Sequence, residues 1–307
     1  MNKPAKKLKR QKGQVLIIFL LIVVMALAIV LSVASRTITN IRTTTTSDES
    51  NRAYFAAESG IEEALKKAET TTAPPFSITT DISNAHATTT AKEYLPGSSF
   101  VIPENLAKDE SAQVVLSTNP YGNPEWTGTM FTIYFGKDSN PNQAIEVSLI
   151  FYNTSTSEYG IKKWAFDVSK TRGNSFCPAS SFSGGIMLHD NYFNTKTFIN
   201  YAYLFIRQTV MGGITYTDPV LNCSAPHDPQ LVSEEKPILL RIRALYNSDF
   251  SIPVGVAASI ALPSQGTIIE STGNVSSVTR KIVAIRQVPS LPSLFDYVLF
   301  TNDDLSK

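Results

Sequence analysis

The sequence predicts an α+β chain in which a long N-terminal transmembrane and stalk helix is followed by a β-rich antiparallel head. Three observations predict it. From Val15 to Leu31 there are 17 residues without a polar side chain. From Ala53 to Ala68, apolar residues recur at steps of three and four. Beyond residue 130 the pattern changes to alternation and short apolar runs bounded by turn residues.

The first element begins after a basic start. Lys3, Lys6, Lys7, Lys9, Arg10 and Lys12 place six positive charges before Gly13. Val33 and Ala34 extend the apolar run past Ser32, and about 20 such residues span the ~30 Å hydrocarbon layer as a helix. A buried globular helix would carry a polar face over this length, and a signal-peptide core is shorter, about 7–15 residues. With only Arg36 and Arg42 closely following, the charge asymmetry puts the N-terminus in the cytoplasm and the head outside. The chain is therefore read as a single-pass protein of the cytoplasmic membrane.

The second element is amphipathic. Ala53, Ala57, Gly60, Ile61 and Ala64 line one stripe of mostly small residues, across which another helix or a sheet can approach closely. Glu62 with Lys66 and Glu63 with Lys67 form i,i+4 pairs on the other side. Thr43–Thr46 is the weak point, because β-branched side chains lose rotamer freedom in a helix, and Thr46 with Glu49 also fits a capping box. Either one bent helix runs from about 14 to 70, or two helices meet at the threonines. Ala73-Pro74-Pro75 ends the helical pattern. The resulting organisation is a basic leader (1–13), a transmembrane helix (14–34), an extracytoplasmic amphipathic helix (35–72) and a head (73–307).

In the head, residues 76–130 read as loops with short strands. Strands are expected at 130–136, 144–152, 161–168, 201–210, 237–246, 254–262, 266–271 and 278–288, with "STGN" (271–274) and "SSV" (276–278) as a hairpin-like turn between the last two. In 237–246, Ile238, Leu240, Ile242 and Ala244 alternate with Arg241 and Arg243, which suits a strand with one wet side. The glycine pairs in "SGG" (183–185) and "MGG" (211–213) read as turns.

Charge excludes one partner class. Beyond the leader, 21 Lys and Arg stand against 26 Asp and Glu, so a nucleic-acid partner is not expected. Cys177 and Cys223, both in the exported part, admit one disulfide pairing, with two buried free thiols as the alternative. Without a Cys-x-x-Cys and with three histidines, no metal site or other cofactor is implied. The pairs His189-Asp190 and His227-Asp228 lack the context of a catalytic motif, and no enzyme is predicted. "LPSQG" (262–266) departs from a sortase signal in its fourth residue, and Asn153, Asn222 and Asn274 stand in Asn-x-Ser/Thr sequons.

"KGQVLIIFLL" (12–21) together with "AYFAAESGIEEAL" (53–65) resembles the type IV pilin-like family, and within it the PilX-type minor pilins and the minor pseudopilins of type II secretion. The resemblance covers residues 10–68 at most. It implies removal of the leader by prepilin peptidase between Gly13 and Gln14, N-methylation of the new N-terminus, and packing with other pilins or pseudopilins through the N-terminal helix. Ile18 stands where major pilins carry Glu, which suits a minor subunit, and Gln14 replaces the commoner Phe or Met. Bulky residues at Ala57 and Gly60 are expected to impair assembly without stopping membrane insertion. An uncleaved signal-anchored surface binding protein shares this topology. A secreted protein, released after Ala34 in "SVA" by signal peptidase, is the remaining reading.

Overall fold

In the computed structural model, residues 14–289 are described apart from 71–72, 120–123, 125, 139–141, 170–171, 193–194, 221–222, 224–228 and 248–249. The chain forms α1 (Gln14–Thr70), then β1 (Phe76–Ile82), β2 (Ala85–Glu93), β3 (Gly97–Val101), β4 (Ser111–Val115) and β5 (Met130–Phe135). Next come β6 (Ala144–Asn153), β7 (Glu158–Asp167), β8 (Cys177–Pro178), β9 (Ser180–His189) and β10 (Thr195–Phe205). The last strands are β11 (Thr209–Met211), β12 (Ile214–Tyr216), β13 (Glu235–Leu245), β14 (Val254–Leu262), β15 (Gly266–Val275) and β16 (Val278–Gln287).

The chain divides into two compact units, one comprising the residues up to Thr90 with Glu270–Val283, the other Ala91–Ile269 with the residues from Ala284. In the first, α1 is one continuous helix of 57 residues. The threonine run is helical, and along this part of α1 hydroxyls bond back one turn: Thr37, Thr39, Thr43 and Thr44 donate to the carbonyls of Val33, Ser35, Thr39 and Asn40 at 2.9–3.0 Å. The C-terminal part of the helix packs on a sheet of order β1-β2-β15-β16. Ala53, Ala56, Ala85, Ala87 and Val275 form its small core.

The second unit holds two five-stranded sheets, of order β3-β14-β5-β10-β9 and β4-β13-β6-β7-β8. Their ladders are antiparallel except that of the two-residue β8, which runs parallel to β7. Alternation makes the core: Phe131, Ile133 and Phe135 of β5 and Val254 and Val256 of β14 meet Ile145, Val147 and Leu149 of β6 and Leu240 and Ile242 of β13. Cys177 and Cys223 are bonded, with Cα atoms 5.0 Å apart.

Several expectations shift. The segment read as loops with short strands does contain strands, but β1 has seven residues and β2, "AHATTTAKE", has nine; its alternation of Ala and Thr carries no strong apolar signal. "SGG" lies inside β9, where Gly184 (φ +90°) and Gly185 (φ +77°) form an irregularity opposite Phe198–Asn200. "MGG" is the turn between β11 and β12. "STGN" is strand, and the β15–β16 turn is confined to Ser276-Ser277 of the expected "SSV". Arg241 and Arg243 are buried, held by Ser111 Oγ at 2.7 Å and Glu146 Oε2 at 3.1 Å.

Candidate functional site

The composition of α1 changes along its length, and its environment changes with it. Every side chain from Leu16 to Asp48 is exposed, including a continuous apolar surface from Leu16 to Val33. This is the one described helix long and apolar enough to cross a membrane. Those 33 residues reach about 50 Å at 1.5 Å each, longer than the ~30 Å hydrocarbon layer. Ile38 and Ile41 continue the apolar exposure beyond it. Gly13 and the basic leader lie outside the described residues; Gln14 is the first residue of the helix.

The second half of α1 is covered by the chain itself. Ala53, Ala56, Ala57, Gly60, Ile61 and Ala64 are buried. A Cβ on Gly60 would run into the hydroxyls of Thr89 and Ser271, which bond to each other at 2.8 Å beneath the helix. A Cβ on Gly273 of β15 would overlap the backbone of Ala53 and Ala57. Small residues on both sides therefore let helix and sheet backbones come into contact. The sequence-derived stripe is an intrachain seam, and Gly273, Thr89 and Ser271 are its unrecognised partners. No local pattern marks these three, because their role exists only once the helix lies over them. Of the i,i+4 pairs, Glu63 and Lys67 turn to the sheet: Thr80 donates to Glu63 at 2.5 Å, and the Lys67 ammonium lies 5.1 Å from the centre of the Phe76 ring. On the opposite side, Tyr54 and Phe55 are exposed and packed edge to face at 6.1 Å.

The remaining chemical candidates are absorbed by structure. Asp190 is buried, accepting from Tyr94 Oη at 2.5 Å and the Tyr192 amide at 2.8 Å, whereas His189 is exposed. His227, Asp228 and Asn222 lie outside the described residues. Gln265 of "LPSQG" is buried: its side chain accepts from the Val115 amide and donates to the Val115 carbonyl, both at 2.8 Å, standing in for a neighbouring strand of β4. Asn153 accepts from the amides of Ser155 and Thr156, and Asn274 from Thr279. Among the described residues, no group of three or more His, Cys, Asp or Glu side chains is placed to hold a metal ion. Compared with known proteins, the chain matches no family model, no curated protein and no solved structure.

Proposed function

We propose that this protein is a minor pilin-like structural subunit of a type IV pilus or related secretion filament, anchored in the membrane by α1 and processed by prepilin peptidase at Gly13-Gln14. The observation that carries the reading is the change of environment within one unbroken helix. Its apolar first half is bare, and its second half is fastened to the sheet of the same unit. Bare apolar surface of that extent needs a cover. Lipid supplies it before assembly and neighbouring subunit helices supply it afterwards; head-to-tail contacts of that kind extend into an open filament. The body contributes structure and no catalysis.

The intact mass and N-terminal sequence of the protein recovered from its own membranes test the reading. A start at Gln14 is the expected result. A start at Ser35 in the medium would make it a secreted protein, and an uncleaved N-terminus would leave a tethered surface protein.

A further inference from the structure

The two sheets of the second unit carry opposite chemistry on the sides away from their shared core. Away from the core, β6, β7 and β13 carry Lys163, Ser148 and Arg241 in one cross-strand row and Ala165, Glu146 and Arg243 in the next. Glu146 pairs with Lys163 at 3.4 Å and with Arg243 at 3.1 Å. The side of the other sheet away from the core has rows Tyr201–Tyr134–Gly255, Tyr203–Thr132–Ala257–Ser99 and Phe205–Met130, with Phe205 buried against Tyr216. No charged side chain stands in these three rows. Instead, rings follow one another along β10 and its neighbours. From Phe182 to Tyr201, Tyr203, Phe205 and Tyr216, successive centroids are 4.1, 5.3, 6.1 and 4.7 Å apart. Tyr134 packs against Phe182 at 6.4 Å.

We propose that this face is a binding platform for a neutral, hydroxyl-rich glycan chain laid along β10. Aromatic rings offer apolar edges and faces to the C–H surfaces of sugars, and the phenol and Ser99 hydroxyls both donate and accept with sugar hydroxyls; Thr132 is buried and bonds to Tyr134 instead. Among the described residues, the hydroxyls of Tyr201, Tyr203 and Tyr216 bond to no protein group, so they are open to a ligand. Burial and neighbouring tyrosines hold the phenols of Tyr134 and Tyr203 above their ordinary range, keeping them neutral donors. Without a cation, the three rows have nothing to attract phosphate, uronate or nucleic acid. Tyrosines confined by their neighbours lose little conformational freedom on binding.

The test is affinity electrophoresis of the full-length protein, in micelles of a detergent without a sugar headgroup. The gels contain hydroxyethyl cellulose, glucomannan or mixed-linkage β-glucan, with polygalacturonate as the anionic control. We expect retardation by at least one neutral polysaccharide. It should weaken about tenfold in Tyr201→Ala and Tyr203→Ala, as loss of a ring contact implies, and less in Tyr203→Phe, which keeps the ring and the fold. Retardation by none of the neutral polymers, by polygalacturonate alone, or equally in all three variants would overturn the proposal. So would polysaccharide-independent self-association that Tyr203→Phe abolishes, which would make the face a contact between copies.

Discussion

A methyl group on Gly273 would strike backbone, whereas one on Gly60 would strike two hydroxyls that can rotate away. Gly273→Ala should therefore cost more than Gly60→Ala, whose clash is also offset by up to about 1 kcal/mol of helix propensity. Overpacking of this kind costs about 1–3 kcal/mol, and urea unfolding followed by a probe in the helix–sheet unit would rank the two. Elsewhere, Lys162 is buried with Glu235 at 2.6 Å and also donates to the Gln230 carbonyl at 3.0 Å. Removing one charge strands the other, so Glu235→Ala should cost about 3–5 kcal/mol and Lys162→Met clearly less. Equal midpoints in denaturant would contradict that account. Tyrosine adds a pH dependence. Tyr134 and Tyr203 are both raised above their ordinary 10.0, chiefly by burial and then by neighbouring tyrosines. Above pH 10 the unfolded chain therefore binds fewer protons at these sites than the folded one, and stability falls as pH rises. The Tyr134→Phe, Tyr203→Phe double variant should lose stability less steeply between pH 9 and 11.

At the scale of elements, helix α1 shows how a poor helix sequence is kept helical. The run from Thr43 to Thr46 has low propensity, yet it remains helical, with the hydroxyls of Thr43 and Thr44 back-bonded to carbonyls one turn earlier. Its length followed from the apolar run, the stripe and Ala73-Pro74-Pro75, but its continuity did not, because capping and back-bonding draw on the same side chains. Strands with strong alternation, such as β6, β13 and β14, were legible to within a residue or two. β2 and β9 were not, since Ala-Thr alternation and a glycine pair become strand only when neighbouring strands supply the hydrogen bonds. The disulfide joins β8 to a loop 46 residues later. A loop of that length implies about 4 kcal/mol in the chain-entropy account. Reduction, or Cys223→Ser, should lower the thermal midpoint of the second unit measurably.

For the whole molecule, burial of the small-residue stripe changes how assembly must be tested. Bulky replacements of Ala57 and Gly60 would disturb the chain's own sheet before any neighbour is met, so lost filaments in those variants would report misfolding. Tyr54 and Phe55 are exposed on the same helix and support no core. If helices of neighbouring subunits cover this surface, Tyr54→Ser and Phe55→Ser should leave unfolding unchanged and lower surface filament levels. Wild-type levels in both would remove that side of the helix from the interface.

The sequence by itself determined the apolar start of the helix, the amphipathic stretch that follows and the alternating strands, because each rests on local period, and it limited the cysteines to a single possible pairing. Tertiary structure alone decided that the stripe serves the chain's own sheet, that Arg241 and Arg243 are buried, and that the rings of β5, β9 and β10 meet along cross-strand rows without a charged side chain. The reason is physical. Period fixes which side a residue takes within its own element, whereas what lies opposite is set by contacts between residues far apart in the chain. Gly60 with Thr89 and Ser271 is such a contact, and so is Phe182 with Tyr201 and Tyr134.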